Sequence, residues 1–563
     1  PGGGGMSGTF GRVSATLVAV LLTAAPPAAV AQAAPNPIAA ENALPGDSGW
    51  QLRQRAGAKQ LEGYASATSV NHGEAIDVHL SANASRTVSW RLYRMGWYGG
   101  AGGRLVASGG PVSVGPQETP APAADTGLIE CTWPVTFTVQ TGPGWTSGVY
   151  VTAITRDDGP QTYVVFVVRA DEHKGAAVFQ SSVTTWQAYN AWGGKSLYSG
   201  GPAQEVSFDR PYLEGNGAGQ YFRWEHPFVE WAESRGLDLT YVTNVDLDRD
   251  PALLEGQRLF LSVGHDEYWS RPARAALEGA IDAGISVAFF SANSIYWQIR
   301  LEASKAGAVP RRTVACYKGN PADPLRGTPL ETVKWRDAPV SEPENALIGV
   351  MYSAWLLADA PFVVTNASHW VYEGTGVSDG DAVPGMVGYE SDRRFDNGAT
   401  PAGTEVLARS PVVDVNGRPD WQEATIRTTP GGGYVFAGGT IEWSWGLGDG
   451  RVQRVTENLF RRAGVAPETQ APPVLQPQPL EVRADGVDAL STIGGTPFGE
   501  GLRDGPAAGA LFRRPSAAAV DADGNVFVAD TGNHAVRLVR ADAARTVTTI
   551  AGKARGTGYC DDV

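Results

Sequence analysis

The stretch RLFLSVGHDEYWSRPARAALEGAIDAGISVAFFSAN, residues 258–293, decides the fold. RLFLSV and SVAFFSAN are short, mostly apolar runs, as expected of strands buried on both faces. RPARAALEGAIDAG between them is helix-like. A strand, a helix and a second apolar strand make a parallel unit, because parallel neighbours need a crossover. The junction after the first strand holds His265, Asp266 and Glu267 in succession, followed by Tyr268 and Trp269. Ligands of such sheets gather beyond the carboxyl ends of the strands, so chemistry is expected at this turn.

Working outward, the pattern continues. AAVFQSS (176–182) and DLTYVT (238–243) are further apolar runs, and HPFVEWAESRG (226–236) and DPALLEG (250–256) are helix-like. The reading is a central α/β domain over 175–465, three-layered and amidotransferase- or flavodoxin-like, with a mainly parallel sheet. Residues 310–430 are irregular and rich in Gly, Pro, Asp and aromatics, which predicts an insertion or long functional loops. The strand-like GGYVFAGGTIEWSW (432–445), with Glu442 near its end, and the helix-like RVQRVTENLFRRAG (451–464) close the domain.

Before it, residues 60–170 alternate apolar and polar: AIDVHLSA, TVSWRLYRMG, VTFTVQTG, GVYVTAITRDD and QTYVVFVVRA. Short alternating strands between Gly-rich turns predict an antiparallel β-sandwich of immunoglobulin-like size. After it, QAPPVLQPQPLE lies in a Pro-rich linker, 466–485. From 486 to 563, LSTIGGTPFGEGLRD resembles VTTIAGKARGTGYCD, and FRRPSAAAVDADGNVFVADTGNHAVRLV between them resembles an NHL repeat. A propeller needs several blades, so this reads as an incomplete NHL β-propeller in a chain that continues beyond Val563.

A chain of 563 residues exceeds one core and predicts two to four domains. The net charge of −14 argues against nucleic acid, which needs a basic face. Residues 1–35 read as a leader: Arg12, the apolar LVAVLL and the small-residue AVAQA suggest a bacterial-type secretion signal. Pro1–Gly5, ahead of Met6, look like extra sequence. No later stretch has the length and apolarity of a membrane helix. Cys131 and Cys316 are able to pair in an oxidising compartment, with Cys560 left over.

The candidate site residues come from separate segments. Glu267 is a hard oxygen donor. Tyr189 and Tyr198, in TTWQAYNAWGGKSLY (184–198), carry phenols that a trivalent ion can deprotonate. Phenolate and carboxylate together suit ferric iron, whereas zinc favours imidazole and thiolate. Tyr212 and Tyr221 compete for the phenolate role, and spacing does not separate them. Taken singly, each Tyr also reads as a packed ring, HxE as a solvated turn and Asn293 as a turn cap. No GxSxG or GxCxG elbow follows any expected strand, which argues against a nucleophilic hydrolase.

GHDEYW, SANSIYW, TTWQAYNAWGG, YRMGWYGG, HWVYEGTG and GYESDR together resemble the large (beta) subunit family of N,N-dimethylformamidase, over about 60–465. The resemblance implies a mononuclear ferric iron held by Tyr189, Tyr198 and Glu267. It implies water attacking a small amide, with His265 acting on water or substrate and Asn293 holding the oxyanion. It also implies a separate small subunit, which nothing in this chain resembles. An exported chain joined to a propeller leaves the amide open. The rival expectation is a non-catalytic extracellular protein that binds glycan or protein through sandwich and propeller.

Overall fold

The structure, a computed structural model, describes residues 1–5, 36–465 and most of 503–552. The expected signal sequence, the Pro-rich linker, the first repeat stretch from Leu490 to Leu502 and Cys560 lie outside the described residues. Strands predominate, arranged in several sheets with few helices.

The centre is a seven-stranded sheet. In order across it run Leu239–Thr243, Ala177–Ser181, Leu259–His265, Ser286–Ala292, Tyr434–Ala437, Pro419–Thr428 and Glu405–Val413. The first five are mutually parallel; Pro419–Thr428 runs antiparallel to them, and Glu405–Val413 pairs antiparallel to it. Every residue of the four strands 177–181, 239–243, 259–265 and 286–292 is buried, which is why their sequences are mostly apolar. Phe179, Leu261, Val263 and Phe290 pack into one core cluster, and Val178, Phe260, Val287 and Phe289 into another. Alternate residues thus face opposite sides of a sheet covered on both.

The crossover Arg271–Asp282 shows how local sequence sets an element. Ser270 caps it by accepting from the Ala273 amide, and Pro272 sits in the first turn where no amide is needed. Ala273, Ala276, Leu277, Ala280 and Ile281 are buried at helical spacing, and Gly284, with φ of +99°, ends the run.

Three expectations need correction. The 310–430 region is not an irregular insertion throughout: Glu405–Val413 and Pro419–Thr428 are strands of the central sheet. They form an antiparallel hairpin at its edge, and the edge strand alternates exposed and buried residues, so no apolar run marks it. TIEWSW is not strand. The strand ends at Ala437, the chain turns at Gly439 (φ +64°), and Glu442 leads a short helix, Trp443–Gly446. Cys131 and Cys316 do not pair: both are buried free thiols, one packed with Tyr64, Trp133 and Trp192, the other in the main core.

The N-terminal module has a five-stranded sheet ordered Ser69–Asn71, Gln161–Arg169, Gly148–Arg156, Arg86–Met95, Gly103–Val114. A three-stranded sheet, Leu61–Ala65, Ala75–Ala82 and Phe137–Gln140, shares its core through Leu61, Val78, Leu80, Leu92, Ile154 and Phe166. The strand Gly103–Val114 went unread because GRLVASGGPVSV has weak strand propensity; pairing with Arg86–Met95 imposes it. Arg94 reaches from this module to Glu233 on the helix His226–Ser234. The pair is two-pronged, at 2.9 and 2.8 Å, and both side chains are 0% exposed. Towards the C-terminus, Ala517–Val520, Val526–Asp530, Ala535–Val539 and Val547–Gly552 form a four-stranded antiparallel sheet in chain order. Among the described residues no helix is long and apolar enough to cross a membrane.

Candidate active site

His265 ends the strand Leu259–His265, and the chain must bend at once to present the residues after it. Gly264 makes this possible: its φ is +74°, and a Cβ there would stand 2.5 Å from the Cβ of Trp224. The short helix Val183–Tyr189 is pinned to the bend. The Thr185 hydroxyl accepts from the amides of Glu267 (2.9 Å) and Tyr268 (3.2 Å), and Thr184 donates to the Tyr268 carbonyl at 2.7 Å. Tyr189 stands four residues after Thr185, on the same helical face. The phenol therefore arrives beside the carboxylate.

Tyr189 Oη donates to Glu267 Oε2 at 2.7 Å, and Tyr198 Oη to Glu267 Oε1 at 2.9 Å. The two phenol oxygens are 3.2 Å apart and their rings stack at 4.5 Å. Tyr198 is 42% exposed, yet its hydroxyl points inward to Glu267. Asp266 faces the other way and accepts from Gln180, Ser262 and Asn244, so it anchors the bend. Tyr212 and Tyr221 are elsewhere: Tyr212 meets Trp186 edge-on, and the buried Tyr221 packs among Phe222 and His226.

Behind the triad, His265 Nε2 is 3.4 Å from Glu267 and 3.7 Å from Glu390, and its Nδ1 lies 3.1 Å from Gln220 Oε1. Asn293, with φ of +54°, gives its backbone amide to Asp392 at 2.8 Å. His265 Nε2 has only long approaches to Glu267 and Glu390, and Asn293 Oδ1 and Glu390 Oε2 lack a close hydrogen bond although buried. Their clustering beside Tyr189, Tyr198 and Glu267 makes this a candidate site for an occupant. Lys318 adds a cation, its Nζ 3.4 Å from the centre of the Tyr198 ring.

Burial, then the Glu267 charge, holds the pKa of both Tyr189 and Tyr198 well above the ordinary phenol value. Burial opposes charge on His265, but the bond to Glu267 and the charge of Glu390 leave its pKa raised. Glu390 is pushed up to about 7, chiefly by burial. Glu225, which accepts from Ser181 and Ser182 at the foot of the Val183–Tyr189 helix, is pushed up to about 8 by burial. A raised carboxyl pKa stabilises the fold fully below its unfolded value near 4.5, and that stability is lost as pH rises through about 8. Glu225→Gln is therefore expected to flatten the fall in denaturation midpoint across that window, a difference of roughly 3–5 kcal/mol.

A family model described as N,N-dimethylformamidase beta subunit-like, C-terminal, matches residues 89–457, more than half of the chain. The chain belongs to the N,N-dimethylformamidase beta subunit-like family. An NHL repeat matches residues 512–537, within the C-terminal sheet. The N,N-dimethylformamidase beta subunit of Alcaligenes sp. is 24% identical over 286 residues, covering 42% of this chain and 37% of that protein. The chain thus spans little more than a third of that relative's length. A cycloisomaltooligosaccharide glucanotransferase of Paenibacillus sp., solved with cycloisomaltoheptaose, covers 46% of this chain and 34% of its own at 10% identity. With a TM-score of 0.14, that likeness carries no argument.

Within this dimethylformamidase-like chain, the structure brings together Tyr189, Tyr198, Glu267 and His265, with Asn293 on the adjoining strand end. Sequence reasoning missed three neighbours. Tyr268, inside GHDEYW itself, donates to the Tyr198 hydroxyl. Glu390 lies in GYESDR, a motif noticed but given no role. Lys318, in CYKGN, carries no signal of its own. Among the described residues no group of three His, Cys, Asp or Glu is set to hold a metal, so an ion here needs the phenols.

Proposed function

We propose that this site is a metal-dependent hydrolase of a carbon–nitrogen amide bond, with Tyr189, Tyr198 and Glu267 as the ligands of an iron. The convergence of two phenols on one carboxylate carries the reading. The donors fit: the two phenol oxygens and the two Glu267 carboxylate oxygens are linked by separations of 2.7, 2.9 and 3.2 Å, so all four face one small space. Hard oxygen donors select a hard ion, and a trivalent one offsets the raised phenol pKa values. Bound there, the ion would polarise a carbonyl and acidify water.

The protein's own groups do the rest. Gln220 fixes His265 through Nδ1, leaving Nε2 to hold a proton between Glu267 and Glu390. Glu390, poised near neutrality, takes a proton from water and returns it to the departing amine. Asn293 presents its amide to the developing oxyanion, an interaction typically worth about 3 kcal/mol in the transition state. We read the two-sheet module as immunoglobulin-like and the C-terminal sheet as one propeller blade.

The test uses the purified full chain. Stoichiometric iron, a visible phenolate-to-iron band and amine release from a simple N-alkyl amide are expected. Protein with neither iron nor the band would overturn the proposal.

A further inference from the structure

The C-terminal repeat is seated on the central domain at a particular place. Leu511, 3% exposed, packs with Trp224, Ala292, Ile441 and Trp445, and Tyr389 lies against the same cluster. Trp224 and Trp445 stack with centroids 4.6 Å apart, and Tyr389 stands 5.8 Å from Trp224. Arg503 pairs its backbone with Leu511, donates from Nη1 to the Trp445 carbonyl, and from Nε to the Gly509 carbonyl at 2.6 Å. Glu442 acts on it electrostatically.

The wall under Leu511 is built from the chain neighbours of the site. Ala292 precedes Asn293, and Tyr389 precedes Glu390. Trp224 packs on Gly264, which precedes His265. Arg223 lies over Trp224 and Tyr389, at 4.7 and 5.7 Å, and its carbonyl accepts from Trp445 Nε1 at 2.8 Å. One apolar side chain of the repeat is thus wedged behind three site residues at once. Close-packed interiors pass displacements on rather than absorbing them.

We propose that Leu511 and Arg503 are positioning residues, through which the seated repeat holds His265, Asn293 and Glu390 in working register. The catalytic consequence rests on the function proposed above; the placement of the three side chains does not.

The test compares the full chain with Leu511→Glu, Arg503→Met and the conservative Leu511→Met. Tryptophan emission reports the seat, because Trp224 and Trp445 gain solvent when it opens. Ring signals of ¹⁵N-labelled histidine, recorded on iron-stripped protein and assigned with His265→Gln, report register. Far-UV circular dichroism verifies the fold. Leu511→Glu and Arg503→Met are expected to shift the emission to the red and move the His265 signal. They are expected to lower kcat about ten- to a hundredfold at similar KM, as an ångström-scale misplacement does. Leu511→Met is expected to restore all three. A red shift with an unmoved His265 signal overturns the proposal, as does an unchanged emission in both disruptive variants. Should the parent chain hydrolyse no amide, the proposed function falls, while the His265 signal still decides this inference.

Discussion

Glu267→Gln is expected to abolish the proposed iron binding while leaving the fold in place. The amide is isosteric with the carboxylate, and one oxygen still accepts from a phenol, so the bend and its Thr185 anchor persist. The charge is lost, and with it the anionic member of the donor set. Glu267 also helps to keep the His265 pKa raised, so the imidazole loses part of its hold on a proton. Elemental analysis is expected to find no iron, and hydrolysis to fall by about a thousandfold. Circular dichroism and the denaturation midpoint should stay near those of the parent. Retained iron in this variant would remove Glu267 from the ligand set.

Arg94→Met is expected to have the largest effect on stability. The Arg94 guanidinium is fully buried, bonded twice to Glu233 and again to the Ser147 and Met95 carbonyls and the Tyr98 hydroxyl. Methionine replaces the volume but none of those bonds. Glu233 keeps Tyr241 and Asn42 as donors, yet its charge loses its counter-ion in a fully buried site. Breaking one side of a buried pair typically costs about 3–5 kcal/mol. Removing the charge on both sides, in Arg94→Met with Glu233→Gln, should recover much of that loss. Urea titration of the single and double variants measures both, and an unchanged midpoint in Arg94→Met would refute the argument.

The parts of the fold legible in sequence are those where one physical demand dominates. Strands buried on both faces are mostly apolar, so 177–181, 239–243, 259–265 and 286–292 announce themselves. The 405–428 hairpin meets mixed demands at the sheet edge, with Pro411 and charged residues in its run, and it reads as loop. TIEWSW is apolar enough for a strand, but the Gly438–Gly439 turn redirects it into the wall beside the site.

For the site, composition and position located the turn and its titratable residues, and family resemblance chose among them. Spacing never separated Tyr198 from Tyr212 or Tyr221. Gly193 and Gly194, both at positive φ, turn the chain so that Tyr198 returns onto Tyr189. That path depends on packing against the rest of the domain. Glu390 and Lys318 reach the triad from the long 310–430 region, whose return is a tertiary matter with no local signature.

The Thr185 anchor has a consequence for the order of events during biogenesis. Tyr189 and Glu267 lie 78 residues apart, and the seven-residue helix bearing the tyrosine is too short to persist unaided. A nascent polypeptide halted before the 259–265 strand has emerged carries Thr185, Tyr189 and Tyr198 but lacks Glu267 and the bend they lodge against. Uptake of the proposed iron would accordingly be a late step, and the colour of a loaded molecule would double as a read-out that its architecture is complete.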